Sequence, residues 1–97
     1  MANASFDLTK ENPNSDPFVI TNLTETSISI LGNITSGDSV RLEVLVAGSV
    51  YKTLGEPLNE FKDFYNVRLN EGTYRLTYLP VKASSTCSVF VSPFTAP

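Results

Sequence analysis

Apolar and polar residues alternate along most of this chain with a period of two, and nowhere with the period of a helix. The clearest case is Ser39 to Ala47, where Val40, Leu42, Val44 and Val46 fall on one side and Arg41 and Glu43 on the other. The same reading predicts strands over residues 18–23, 26–31, 50–54, 61–69, 73–79 and 86–92. Between them lie turn residues: Ser36-Gly37-Asp38, Ala47-Gly48-Ser49, Gly55-Glu56-Pro57 and Asn70-Glu71-Gly72. About seven short strands with turns at this spacing predict an all-β fold, a single antiparallel β-sandwich with an immunoglobulin-like Greek key. Residues 1–17 are polar and carry Pro13 and Pro17, which predicts an extended N-terminal arm anchored by Phe6 and Leu8. The sandwich domain then covers 18–92, and 93–97 form a C-terminal tail.

One stretch speaks to how the strands are joined. Leu69 ends a strand, Gly72 follows three residues later, and Tyr74 is the second residue of the next strand. This spacing resembles the tyrosine corner of immunoglobulin-like sandwiches, in which the tyrosine hydroxyl bonds back to the backbone of the turn. Leu69, Gly72 and Tyr74 are therefore expected to be fold-determining.

Composition narrows the function. The chain has 97 residues, enough for one small core. Its formal net charge is −3 and its seven basic residues are scattered, which argues against nucleic acid and against a membrane surface. No apolar run is long enough for a spanning helix, and the first residues do not read as a signal peptide. The single cysteine, Cys87, allows no intrachain disulfide, so the chain is expected to fold in a reducing cytosol or to gain stability by oligomerising.

The candidate chemistry is sparse. The sequence has no histidine, which removes the Ser-His-Asp and Cys-His arrangements and the usual zinc ligands. Glu56, Glu60 and Asp63 share one region, but no spacing fixes two of them as an acid pair. Asp38 beside Gly37 reads as a turn residue, not a calcium ligand. Cys87 falls inside a strand and reads as a buried structural thiol. No catalytic residue, metal ligand or cofactor site is expected, and the chain is expected not to be an enzyme. The distinctive feature is aromatic exposure. Phe64 and Phe90 fall opposite the proposed core, and Phe6, Phe18 and Phe94 lie near or beyond the domain ends. Exposed aromatics are frequent in interfaces. Phe6, Leu8, Phe18, Phe64, Phe90 and Phe94 are the interface candidates, and Tyr51 and Tyr65 are candidates for a glycan platform.

The run from Ser36 to Val91 resembles the small immunoglobulin-like and jelly-roll β-sandwich proteins of tailed-bacteriophage virions. The residues that carry the likeness are Ser36-Gly37-Asp38, Val40-Arg41-Leu42-Glu43-Val44, Gly48-Ser49-Val50-Tyr51, Gly72-Thr73-Tyr74-Arg75-Leu76 and Ser88-Val89-Phe90-Val91. The resemblance implies a virion component made in the host bacterial cytoplasm, most simply a capsid decoration or cement protein. Its implied partners are the major capsid protein or other virion subunits, and its implied state is a homo-oligomer, dimer or trimer. The alternative is a phage tail, neck or fibre component, or a carbohydrate-binding surface module.

Overall fold

The computed structural model describes residues 4–32, 34–81 and 85–94, with the backbone alone at Pro93 and Phe94. Eight strands follow one another: β1 (Ala4–Thr9), β2 (Phe18–Ile20), β3 (Thr24–Leu31), β4 (Ser39–Ala47), β5 (Val50–Thr53), β6 (Phe64–Leu69), β7 (Gly72–Leu79) and β8 (Thr86–Phe94). They form two four-stranded sheets, ordered β1-β8-β3-β6 and β2-β7-β4-β5, and every pairing is antiparallel. The alternation of the sequence explains the stacking. Ile28, Ile30, Val89 and Val91 point inward from the first sheet, and Val40, Leu42, Leu76 and Tyr78 from the second, all nearly or wholly excluded from solvent.

The all-β sandwich is the expected one, and its strand order refines the expected connectivity. An immunoglobulin-like Greek key would pair the last strand with the strand bearing the corner tyrosine. Here β8 lies between β1 and β3, in the opposite sheet. This is the order of a jelly roll. The physical reason is that the far edge of β7 is already taken. β2 pairs with it at Phe18–Ile20, and upstream the Tyr78 N–H donates to the Pro13 carbonyl and the Ser15 N–H to that of Leu76, both at 2.8 Å.

The N-terminal segment is accordingly not a free arm. Ala4–Thr9 forms the eighth strand, adding one to the number expected, and Leu8 is 2% exposed opposite Cys87. Ser15, expected in a polar arm, is buried; its hydroxyl accepts from the Leu76 N–H at 2.9 Å and donates to the Asp16 carbonyl at 3.0 Å. At the other end β8 continues to Phe94, so part of the expected tail is strand; residues 95–97 lie outside the described residues.

The turn between β6 and β7 carries the chain from one sheet to the other. Tyr74 is 3% exposed, and its hydroxyl donates to the Asn70 carbonyl at 2.7 Å, four residues back. Its ring stacks on Phe18, which stacks in turn on Phe6, with centroids 6.0 and 6.2 Å apart. Leu69, which ends β6, is fully buried. Gly72 has no positive φ, and a Cβ there would meet the Tyr74 ring at an ordinary 3.5 Å. Tyr74 and Leu69 therefore hold this corner, and neither backbone conformation nor space demands the glycine.

Candidate interaction face

The outer face of the β1-β8-β3-β6 sheet is built by the residues that alternate with its core positions. β1 presents Ser5 and Asp7, β8 presents Ser88 and Phe90, β3 presents Glu25, Ser27, Ser29 and Leu31, and β6 presents Phe64, Asn66 and Arg68. Register aligns them into rows. Ser5, Phe90, Ser29 and Phe64 are successive partners across all four strands. Phe64 and Phe90 therefore flank Ser29 from its two neighbouring strands, about 10 Å apart by the strand spacing. Phe64 is 53% exposed, and Phe90 is half-buried.

Polar residues frame this row. On one side the Ser88 hydroxyl donates to Asp7 at 2.6 Å, with exposed Leu31 opposite Ser88. On the other, the Ser27 hydroxyl donates to the Asn66 side-chain oxygen at 2.6 Å, and Arg68 pairs with Glu25 at 2.7 Å. The row itself carries aromatic rings and small hydroxyls without a charge; Asp7 lies in the adjacent row, hydrogen-bonded to Ser88, and the Arg68–Glu25 pair lies towards the ends of β6 and β3. An apolar, charge-depleted centre inside a polar rim is the anatomy of protein interfaces.

The outer face of the other sheet is chemically different. Glu43, Arg75 and Thr77 form a network that reaches Asn14: Arg75 Nε lies 2.8 Å from Glu43, and the Thr77 hydroxyl lies 2.7 Å from the same carboxylate and 2.9 Å from Asn14 Oδ1. Burial opposes the charge on Glu43, but the Thr77 hydroxyl and the Arg75 guanidinium outweigh it and hold the carboxyl below its ordinary range. The Arg75 guanidinium also sits 3.9 Å from the centre of the Tyr51 ring. Tyr51 is thereby covered by its own chain. Tyr65 turns inward with Val67 against the core, and burial pushes its phenol up to about 12. The two tyrosines lie on different sheets and share no platform.

The other interface candidates divide by burial. Leu8 and Phe18, at 2% and 5% exposure, are core residues, and Phe6 packs partly buried against them. Phe6 and Leu8 were expected as anchors on an extended arm and Phe18 at the domain's end, but pairing with β8 and β7 draws all three inside. Phe94 pairs through its backbone with Glu25, and its side chain lies outside the described residues. Phe61, expected within a strand, is 90% exposed in the turn before β6, where Asn59 Oδ1 accepts from the Phe61 and Lys62 backbone N–H groups. The asparagine two residues earlier was the available signal for that turn.

Sequence reasoning also missed the role of Asp38. It is fully buried and accepts from the Tyr78 hydroxyl at 2.5 Å and from the Val81 N–H at 2.7 Å. Burial, and then Asp38 itself, push the Tyr78 phenol far up. Cys87 is buried as expected, and burial with a smaller contribution from Asp38 pushes its thiol up to about 11. A thiol in that state is a poor nucleophile at neutral pH. Among the described residues, no group of three or more Cys, Asp or Glu side chains could hold a metal ion. An open cleft of about 430 Å³ lies between β1 and residues 12–16, lined by Asp7, Asn12, Asn14 and Asp16 among others.

No protein-family model matches the chain, and no curated protein or solved structure matches it.

Proposed function

We propose that this chain is a non-enzymatic structural protein of a phage particle, a decoration or cement protein that binds the major capsid protein through the outer face of the β1-β8-β3-β6 sheet. The observation that carries the reading is the uncharged row of Phe90, Ser29 and Phe64 across that sheet, with half-exposed rings bounded by hydrogen-bonded polar pairs. Burying two phenylalanines against a complementary apolar surface is the energetic core of such a contact, and the surrounding hydroxyls set register. Many copies on one shell then hold it by avidity, although each contact is modest. The sequence resemblance supplies the setting, a virion assembled in the bacterial cytoplasm. The jelly-roll order is used by viral capsid domains, and fold alone carries no function.

Jelly rolls also serve as lectin domains, which keeps a glycan-binding module as the second reading. Tyr51 under Arg75 and Tyr65 turned inward remove the platform that reading relied on, so the protein partner is favoured.

The test is co-sedimentation of the purified chain with undecorated capsid shells, beside variants Phe64→Ser and Phe90→Ser. Wild type is expected to pellet with the shells, and both variants to remain in the supernatant while keeping a wild-type unfolding midpoint. Failure of the wild-type chain to pellet, or no loss in either variant, overturns the assignment. Signal on a glycan array in place of shell binding favours the second reading.

A further inference from the structure

The N-terminal strand is joined to the fold in a way that leaves it separable. β1 alternates Ala4, Phe6 and Leu8 towards the core with Ser5, Asp7 and Thr9 away from it. It is an edge strand, hydrogen-bonded to β8 alone. Its hold on the fold is therefore local: the ladder to β8, the burial of Leu8 opposite Cys87, and the stacking of Phe6 on Phe18.

The connection that follows is a pivot between two anchored segments. Lys10 and Glu11 are exposed. The turn is closed by the Thr9 N–H on the Asn12 carbonyl at 3.2 Å and by the Asn12 N–H on Thr9 Oγ1 at 3.0 Å. From Pro13 onward the chain is clamped to β7 through Pro13 and Ser15. Asn12 precedes Pro13, and a residue before proline is biased to the extended conformation. With Cys87 the single cysteine, no disulfide ties β1 to its own chain.

We infer that β1 is exchangeable: the Ala4–Thr9 strand of one copy occupies the bed on β8 of a second copy, and the pivot at residues 9–12 straightens to allow it. The occupant is a second copy of this chain because the bed is shaped for this strand, and every contact of the closed form is remade between copies. The two states differ in the pivot and in the entropy of association, so the local concentration of copies decides between them. Crowding on an assembled surface favours exchange, but the inference does not depend on what that surface is.

The register supplies a trap. Asp7 and Ser88 are partners across β1 and β8, both on the outer face. Antiparallel partners lie about 4.5–5.5 Å apart at Cα, within the range a disulfide spans. Asp7→Cys and Ser88→Cys are introduced together in a Cys87→Ala background, with each single change as a control for random coupling. Isotopically light and heavy chains are mixed over a range of concentrations, oxidised, and analysed by non-reducing electrophoresis and peptide mapping. The expected result is a 7–88 linkage joining light to heavy chains, with a share that rises with concentration and exceeds both controls. Deleting Lys10 and Glu11 shortens the pivot and is expected to move most chains into the linked dimer. The inference is overturned if the linkage forms only within one chain at every concentration with the native pivot. It is equally overturned if the shortened chain stays a folded monomer with the linkage inside it.

Discussion

Replacing Tyr74 by phenylalanine isolates the corner between the two sheets. The substitution keeps the buried ring and its stacking on Phe18 at 6.0 Å, and removes only the oxygen that donates to the Asn70 carbonyl at 2.7 Å. That carbonyl is left without its partner in a partly buried turn. The expected cost is about 1–2 kcal/mol, the low end applying if water reaches the freed oxygen. In a domain of this size each kcal/mol corresponds to about 4–8 °C in Tm. In urea, with a slope of about 1 kcal/mol per molar, the midpoint should fall by about 1–2 M at unchanged slope. Tyr74→Ala, which also removes the stacked ring, should cost about 3–5 kcal/mol and separates the hydroxyl from the ring. Both are read by urea titration followed by circular dichroism. A Tyr74→Phe midpoint indistinguishable from wild type would refute the argument that the hydroxyl holds the corner.

Three further outcomes follow from the buried polar groups. Cys87 and Tyr65 have folded pKa values raised from 9.0 to about 11 and from 10.0 to about 12. Their neutral forms stabilise the fold fully below pH 9, and that contribution is lost as pH rises through 9 towards 12; urea midpoints between pH 8 and 11 should fall, and less steeply in Cys87→Ala. Glu43 is shifted the other way, so its contribution is present above the ordinary value of 4.5 and lost as pH falls through its lower folded value; Glu43→Gln should flatten the loss of stability between pH 5 and 3. Asp38→Ala removes the acceptor of both the Tyr78 hydroxyl, which keeps its hydrogen bond with Ser85, and the Val81 N–H, and should cost about 3 kcal/mol by thermal denaturation, whereas a simple turn residue would cost under about 1 kcal/mol.

How much of this was legible in the sequence depends on whether a side chain's role is set by its neighbours along the chain or across it. The bounds of β4 are legible in the sequence, because strict alternation over Ser39–Ala47 is a local signal. The outward direction of Phe64 and Phe90 was legible for the same reason, since each sits out of phase with apolar neighbours. The fate of residues 4–9 was not. Alternation of Phe6 and Leu8 among polar residues fits a free arm as well as a strand, and only the vacancy beside β8 decides. Asp38 is the sharper case. Ser36-Gly37-Asp38 is a turn by sequence and by structure, with φ of 91° at Gly37. Its buried carboxylate is explained only by Tyr78 and Val81, 40 and 43 residues away. The row on the outer sheet has the same character: its members come from four strands, and pairing alone makes them neighbours.

The two lateral sides of the sandwich complete the argument about where contacts can form. On one side residues 13–20 line β7 and β1 lines β8, so the N-terminal segment supplies both edges and closes the core with Leu8, Phe18 and Ile20. On the other side the edges are β5 and β6, and Val44, Tyr65 and Val67 stay only partly buried. An open edge invites further strands. Here β5 has four residues, carries Lys52, and pairs with β4 across an irregularity between Leu45 and Ala47, while β6 ends beside the Arg68–Glu25 pair. Short length, charge and a bulge are devices that oppose edge pairing. Extension of the sheets is thus discouraged at β5 and β6 and occupied at β7. The contacts proposed for another chain use neither β5 nor β6: one is face-on through Phe64 and Phe90, and the other replaces β1 by its own equivalent.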